Sequence, residues 1–250
     1  MTTDDFKKEL SIARKAAISA GEMLLSNKNK LNKSILSSDK DIKLQADISS
    51  ENIIKEILER ESIFSILAEE SGKSVENLGN LFWVVDPLDG TVNYSRNIPF
   101  CCVSIALVMD LKPIIGVIYD FNNKNLYEGG VDIAATLNGV KICVSDTAKH
   151  NEGILVTGLP NNTDYSDDAM LKMIKDFQSW RKVRMIGSAA IASAYVASGK
   201  ADVYKESGTY LWDVAAGAAI VNAAGGRANI INRKDNFQVD VFFSNSKILD

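Results

Sequence analysis

Five carboxylates fall in three short segments of this chain: Glu69 and Glu70 in LAEESG, Asp86 and Asp89 in WVVDPLDGTVNY, and Asp213 in YLWDVAAG. Asp86 follows an apolar run, Phe82 to Val85, that reads as a buried strand. Pro87 and Gly90 force a sharp turn there, and Thr91 opens whatever follows. Two carboxylates three residues apart on such a turn can converge on one point. There they repel each other unless a cation or a shared proton neutralises them. Oxygen ligands without His or Cys partners suit a hard cation, and Mg²⁺ is the first choice. Asp-Pro and Asp-Gly are also good turn dipeptides, so a purely structural turn competes for the pair taken alone. That reading leaves unexplained two acids directly behind a buried strand, where a carboxylate must be paired or metal-bound. With Glu69 and Asp213 added, the metal reading prevails, and Glu70 is set aside as an ordinary strand-end residue.

The elements that must position these acids follow from hydrophobic periodicity. Phe6, Leu10, Ala13, Ala17 and Leu24 recur at helical spacing. The polar stretch NKNKLNKSILSSDKD reads as a flexible loop. A second helix is expected from about Asp47 or Ser49, with Ile53, Ile54, Ile57 and Leu58 on its apolar face. Strands are expected at Ile63 to Ala68, Phe82 to Val85, Val103 to Met109, Ile114 to Tyr119 and Asn125 to Glu128. Asn122-Asn123 and Asn138-Gly139 read as hairpin turns. The later part alternates: strand Ile154 to Thr157, helix Asp168 to Trp180, strand Val183 to Ile186, then a small-residue helix Ala190 to Ala197 stopped at Gly199. A strand from Ala201 to Tyr204 leads to Glu206, and the last helix runs from Asp213, a favoured N-cap type, to Gly225-Gly226. A strand-rich first half and an alternating second half predict a layered α/β fold with two sheets sandwiched by helices. We read residues 1–250 as a single domain, with about 1–145 and 146–250 as its two sub-domains.

Composition sets the remaining bounds. A chain of 250 residues buries a sizeable core. Its net charge of −4 gives no basic surface for nucleic acid, so none is expected as a partner. An anionic substrate then needs local positive charge, which bound metal would supply. Three cysteines, with Cys101 and Cys102 adjacent, make neither a disulfide framework nor a zinc spacing, and read as small core residues. His150, the single histidine, reads as a solvated loop residue, which argues against histidine-based nucleophilic machinery. The polar N-terminus resembles no secretory signal, no apolar run is long enough to cross a membrane, and a cytoplasmic protein is expected.

The blocks Glu69-Glu70-Ser71, Trp83 through Tyr94 and Trp212 through Gly217 resemble the inositol monophosphatase family, metal-dependent phosphomonoesterases of the wider sugar-phosphatase superfamily. All three occur in the family's order and approximate spacing, and the similarity runs from the first helix to Gly226. The resemblance implies an α-β-α-β-α sandwich. It also implies two or three Mg²⁺ ions held by Glu69, Asp86, the Leu88 carbonyl, Asp89 and Asp213. Asp47, Glu69 and Thr91 would hold and deprotonate the attacking water, although Asp47 read alone is a helix cap. Asp89, Gly90, Thr91, Gly187, Ser188, Ala189 and Glu206 would contact substrate, with free N–H groups at Gly90-Thr91 and at Gly187-Ser188-Ala189 facing the anion.

One departure concerns the mobile loop, where the family usually carries a lysine. The matching position here is Leu36, flanked by Lys33 and Lys40, which puts a third metal in doubt. The resemblance further implies a homodimer, lithium sensitivity and a small-molecule phosphate monoester as substrate. Asn93-Tyr94 favours inositol 1-phosphate over nucleotide bisphosphates such as 3′-phosphoadenosine phosphate, and fructose 1,6-bisphosphate stays open. A regulatory protein that keeps the fold but binds a partner such as RNA polymerase would be supported by lost ligands, and all of them are present.

Overall fold

The computed structural model describes residues 3–37, 42–160 and 163–249. Lys40, named above, lies outside the described residues, as does the side chain of Leu36. The chain opens with helices α1 (Thr3–Ser26) and α2 (Lys28–Leu31) and the strands β1 (Ser34–Ser37) and β2 (Ile42–Leu44). Helix α3 (Gln45–Glu61) follows, then β3 (Ser65–Ala68), β4 (Gly72–Lys73), β5 (Leu81–Asp89) and a short helix α4 (Thr91–Ser95). A meander continues through β6 (Cys102–Met109), β7 (Lys112–Asp120), β8 (Asn125–Gly130), β9 (Ile133–Leu137) and β10 (Val140–Lys141). The later elements are β11 (Ile154–Thr157), α5 (Asp167–Phe177), β12 (Lys182–Met185), α6 (Ala189–Ala197) and β13 (Val203–Tyr210). Helix α7 (Leu211–Ala223) and strands β14 (Arg227–Ile231) and β15 (Gln238–Ser244) complete the fold.

Two large sheets result. The first has eight strands in the order β10-β9-β8-β7-β6-β5-β3-β4, and the second five in the order β12-β11-β13-β15-β14. Helices α1 and α3 cover one face of the first sheet, α6 and α7 fill the space between the sheets, and α5 lies over the outer face of the second. This is the expected layered α/β sandwich.

Strand β5 shows why its sequence is apolar on both faces. Trp83 and Val85 point into the core under α1 and α3, while Phe82 and Val84 join the core shared with α6 and α7. The intervening helices follow the same logic. Helices α6 and α7 are apolar around their circumference, as helices clasped between two sheets must be. They also need small residues. A Cβ on Gly217 would fall 2.2 Å from Ser193 Cβ, and one on Gly116 of β7 would fall 2.1 Å from the Ala216 carbonyl oxygen.

Several expectations are corrected. Part of the presumed flexible loop is ordered as α2 and as β1, which pairs antiparallel with β2, and the Gln45 N–H at the start of α3 donates to the Lys33 carbonyl. Strand β5 does not stop at Val85 but runs through Asp89 with a register break between Asp86 and Asp89, because β6 keeps pairing beyond the turn. Glu206 lies inside β13, not beyond it. Cys143 is exposed, whereas Cys101 and Cys102 are buried as expected. His150 is exposed but sits in a single 3-10 turn, its ring stacked 4.5 Å from Trp180. Among the described residues no helix is long and apolar enough to cross a membrane.

The near-contact of β7 with α7 gives a stability prediction. Gly116→Val should force α7 off the sheet and cost about 3 kcal/mol in urea unfolding. A loss below about 0.5 kcal/mol would show that the helix is not held this closely.

Candidate active site

The acids gather where the end of β5, α4 and the first turns of α6 and α7 meet. Glu69, Asp86, Leu88, Asp89, Gly90, Thr91, Gly187, Ser188, Ala189, Glu206 and Asp213 all border one cavity of about 260 Å³. Every predicted site residue except Asp47 lines it, and Asp47 lies one hydrogen bond behind, through Thr91.

Local structure explains each placement. Gly90 takes φ = 88°, and a Cβ there would lie 2.7 Å from the Phe100 carbonyl, so the turn demands glycine. Ser50 Oγ, on α3, donates to the Pro87 carbonyl at 2.7 Å and ties the turn to that helix. Asn93 Nδ2 donates to the carbonyls of Phe100 and Ile186, both at 2.8 Å, and so joins the β5 turn to the chain entering α6. Tyr94 is buried with its hydroxyl donating to the Leu24 carbonyl at 2.9 Å. Ser50 and Asn93 were missed as site-forming residues, and no signal in a single sequence marks a serine whose partner is a carbonyl 37 residues away.

Both helix-cap expectations change. Asp47 and Asp213 each sit on the third residue of their helix, not at its cap. Their Oδ2 atoms reach back to accept the N–H groups of Leu44 at 2.7 Å and Tyr210 at 2.8 Å. Asp213 Oδ2 also accepts from Thr209 Oγ1 at 2.6 Å. These bonds fix each carboxylate's orientation, as in a capping box. Thr91 Oγ1 lies 2.9 Å from Asp47 Oδ1 and 3.0 Å from the Leu88 carbonyl, so one hydroxyl proton serves two acceptors.

Asp89 is held in an unanticipated way. Its Oδ2 accepts from Ser188 Oγ at 2.5 Å and from the Ala190 N–H at 2.7 Å, and its Oδ1 from the Ala189 N–H at 3.3 Å. The donors that opened α6 to an expected substrate anion are therefore turned onto an internal carboxylate. Oδ2 carries the two short bonds, which leaves Oδ1 the more available oxygen.

The electrostatics are those of crowded like charges. Burial, then Glu69, Asp89 and Asp213, raise the pKa of Asp86 well above the carboxylate range. Glu69 opens to solvent along the cleft but is walled by protein elsewhere, and that confinement followed by the charge of Asp213 raises it too. Burial also raises Asp89 against the Ser188 and Ala190 bonds, and lifts Glu206 to about 8 with help from Asp213. Asp47 rises to about 6 through burial, opposed by its bonds to Leu44 and Thr91. Glu70, set aside earlier, pairs with Lys43 and receives no place in the cleft, but its N–H donates to Glu51 Oε2 at 2.9 Å.

Among the described residues no three acidic, His or Cys side chains already stand in metal-holding geometry. The donor set nonetheless fits a hard divalent cation. It is all oxygen, it includes a buried backbone carbonyl, and crowding without countercharge raises the proton affinity of its acids.

Fold and cleft together define a phosphatase-type α/β sandwich with an acidic centre. The sequence profile of the inositol monophosphatase family matches residues 5–248, and the chain belongs to that family of phosphatases, which are generally metal-dependent. Nus factor SuhB of Xylella fastidiosa is 39% identical over 88% of this chain and 81% of that protein. Fructose-1,6-bisphosphatase/inositol-1-monophosphatase of Aquifex aeolicus is 32% identical over 98% and 94%. The solved inositol monophosphatase of Anabaena (Nostoc) superposes with a TM-score of 0.84 at 33% identity, over 97% of this chain and 92% of that one.

The raised pKa values fix the sign of a pH effect. A carboxyl whose pKa is higher folded than unfolded contributes stability that is full below the unfolded value, about 4.3, and lost as pH rises through the folded one. For Glu206 that window ends near 8. In chelator, the melting temperature should fall by several degrees between about pH 5 and pH 8, and Mg²⁺ should restore more at the upper pH. A chelated protein whose melting temperature is flat with pH would refute the charge crowding.

Proposed function

We propose that the protein is a Mg²⁺-dependent phosphomonoesterase that hydrolyses inositol 1-phosphate or a related sugar phosphate with water. The observation that carries this reading is the crowding of Glu69, Asp86, Asp89 and Asp213 beside the Thr91–Asp47 pair. Glu69, Asp86 and the Leu88 carbonyl would hold one ion, and Asp86, Asp89 and Asp213 a second. Bound Mg²⁺ neutralises the phosphoryl dianion and lowers the pKa of the attacking water.

The chain's own groups do the rest. Thr91 passes a proton from water toward Asp47, whose pKa of about 6 suits a base near neutral pH. Glu69 steadies the water from the other side. The N–H groups of Gly90 and Thr91 hold phosphoryl oxygens as charge redistributes. Gly187, Ser188 and Ala189 border the alcohol while orienting Asp89, and Glu206 bonds its hydroxyls.

The Aquifex relative's name carries both fructose-1,6-bisphosphatase and inositol monophosphatase, which keeps the bisphosphate as the alternative substrate. Nucleotide 3′(2′),5′-bisphosphates are a weaker alternative. The Nus factor relative supplies a second reading, a binding protein without catalysis. A homodimer is proposed through the depression of about 720 Å³ at the opposite ends of β6 and β7, where Met109, Val131 and Ile231 are exposed. Sedimentation analysis tests it. Lithium sensitivity and a cytoplasmic location belong to the same proposal.

Phosphate release from inositol 1-phosphate, fructose 1,6-bisphosphate and 3′-phosphoadenosine 5′-phosphate, with and without Mg²⁺, is the primary test. Release should need Mg²⁺ and favour inositol 1-phosphate; no release from any of them would transfer support to the binding reading. Asp89→Asn and Asp213→Asn should each lower kcat by about 10³-fold or more with the fold retained. Near-normal turnover in either would remove that residue from the centre. Glu206→Gln should raise KM about tenfold with little change in kcat.

A further inference from the structure

Outside the cleft lining, close to the Thr91–Asp47 pair, lies a second group of charges: Lys43, Glu51 and Glu70. Glu51 follows Asp47 by four residues on α3, so the two share a face of that helix, and both are buried. Glu51 Oε2 accepts the Glu70 N–H at 2.9 Å. One turn further along α3, Lys55 Nζ donates to Ser71 Oγ at 3.0 Å. Helix α3 therefore grips the turn 69–71 twice, and Glu69, which opens that turn, borders the cleft.

Lys43 adds a third grip. It stands in β2 directly before Leu44, the residue whose N–H Asp47 accepts at 2.7 Å. Its ammonium pairs with Glu70. The Lys43 side chain is 30% exposed and that of Glu70 12%, so solvent screens this pair less than one on the open surface. The hydrogen bond to Glu70, against the cost of burial, holds the ammonium above the usual lysine range, and the charges of Glu70, Glu51 and Asp47 reinforce it. The groups that act on Asp47 are Lys43 from β2, Leu44 at its own helix cap, Glu69 and Glu70 from the turn after β3, and Thr91 and Tyr94 from α4. Burial lifts Asp47 to about 6, and the negative charge of Glu70 pushes the same way. Lys43 works against that push twice, by attracting the Asp47 carboxylate and by offsetting Glu70.

We propose that Lys43 is a positioning residue for the reaction: through Glu70 it locks the segment that aims Asp47 against the turn that carries Glu69, and its ammonium is the countercharge of the acids beside the cleft. The kinetic part of this assignment rests on the phosphatase reading, whereas the electrostatic part does not.

The test compares Lys43→Met and Glu70→Gln in the full chain with Mg²⁺ and inositol 1-phosphate. Either change breaks the clamp, so each should lower kcat at the optimum by about tenfold. Their pH profiles should part in opposite directions. Lys43→Met removes a cation and bares Glu70, so the acid limb of kcat/KM should move to a pH about 0.5 higher. Glu70→Gln removes an anion and frees Lys43, so the limb should move to lower pH. A merely structural pair would move both limbs alike or neither. Lys43→Arg should keep the wild-type limb, and Lys43→Gln replaces Lys43→Met should that variant fail to fold. The Asp47 carboxyl is read independently by NMR of ¹³C-labelled aspartate, assigned with Asp47→Asn, and should titrate in the same opposite directions. Opposite NMR shifts without cleavage of any ester would uphold the countercharge role and sink the phosphatase reading. Cleavage with both limbs and both NMR titrations unmoved, or moved alike, would overturn the role of Lys43 and leave the phosphatase standing.

Discussion

Mutual repulsion among buried carboxylates is the constraint that organises this molecule. Asp86 and Asp89 are buried at the end of a strand that is itself buried on both faces, and Glu69 and Asp213 are brought against them from other elements. Glu69, Asp89 and Asp213 raise the proton affinity of Asp86, and Asp213 raises that of Glu69. Such a cluster is intrinsically destabilising in a low-dielectric setting unless protons or cations balance it. The fold tolerates it because the surrounding core is large and because the aspartates of the site are anchored by backbone N–H groups: Leu88 for Asp86, Ala189 and Ala190 for Asp89, Leu44 for Asp47 and Tyr210 for Asp213. Such crowding at the centre would favour the binding of positive charge there.

The anchoring crosses between the two sheets. Asp89 belongs to the first sheet and is held by the start of α6, while Asn93 bonds on both sides of the same seam. Ser104 Oγ, in β6, donates to the Trp212 carbonyl at 3.4 Å, just before Asp213. Close packing makes these short links feasible, since Gly116 and Gly217 let α7 approach β7 and α6 almost backbone to backbone. The small-residue character of α6 and α7 therefore serves the site as much as the core. A wider interlayer gap would carry Asp213 and the Ser188 hydroxyl out of reach of the β5 turn.

Much of this was legible in the sequence because it is local. The core face of α1 read from Phe6, Leu10, Ala13, Ala17 and Leu24 is buried throughout. Strand β11 has the expected bounds, and Asn138-Gly139 forms its hairpin turn with both residues at positive φ. The gathering of Glu69, Asp89 and Asp213 around one cleft also follows, since each lies where a strand ends or a helix begins. Less legible were the ends of elements. Asp47 and Asp213 were read as caps because Asp caps helices well, yet both helices start two residues earlier and use Asp to bond backward. The antiparallel pair β1–β2 before α3 was invisible in a polar stretch, and β2 packs against α3 and α4.

The sequence by itself determined the periodicities that make the layers, the turn chemistry that brings Asp86 and Asp89 together, and the family those motifs belong to. Each is encoded within a few residues, where sterics and hydrophobic pattern act directly. Only the tertiary structure decided that α6 spends its first N–H groups on Asp89, that Lys43 pairs with Glu70, and that Asn93 links the two halves. These depend on distances between segments far apart in the chain, and such distances are fixed by how the layers pack, which no local pattern records.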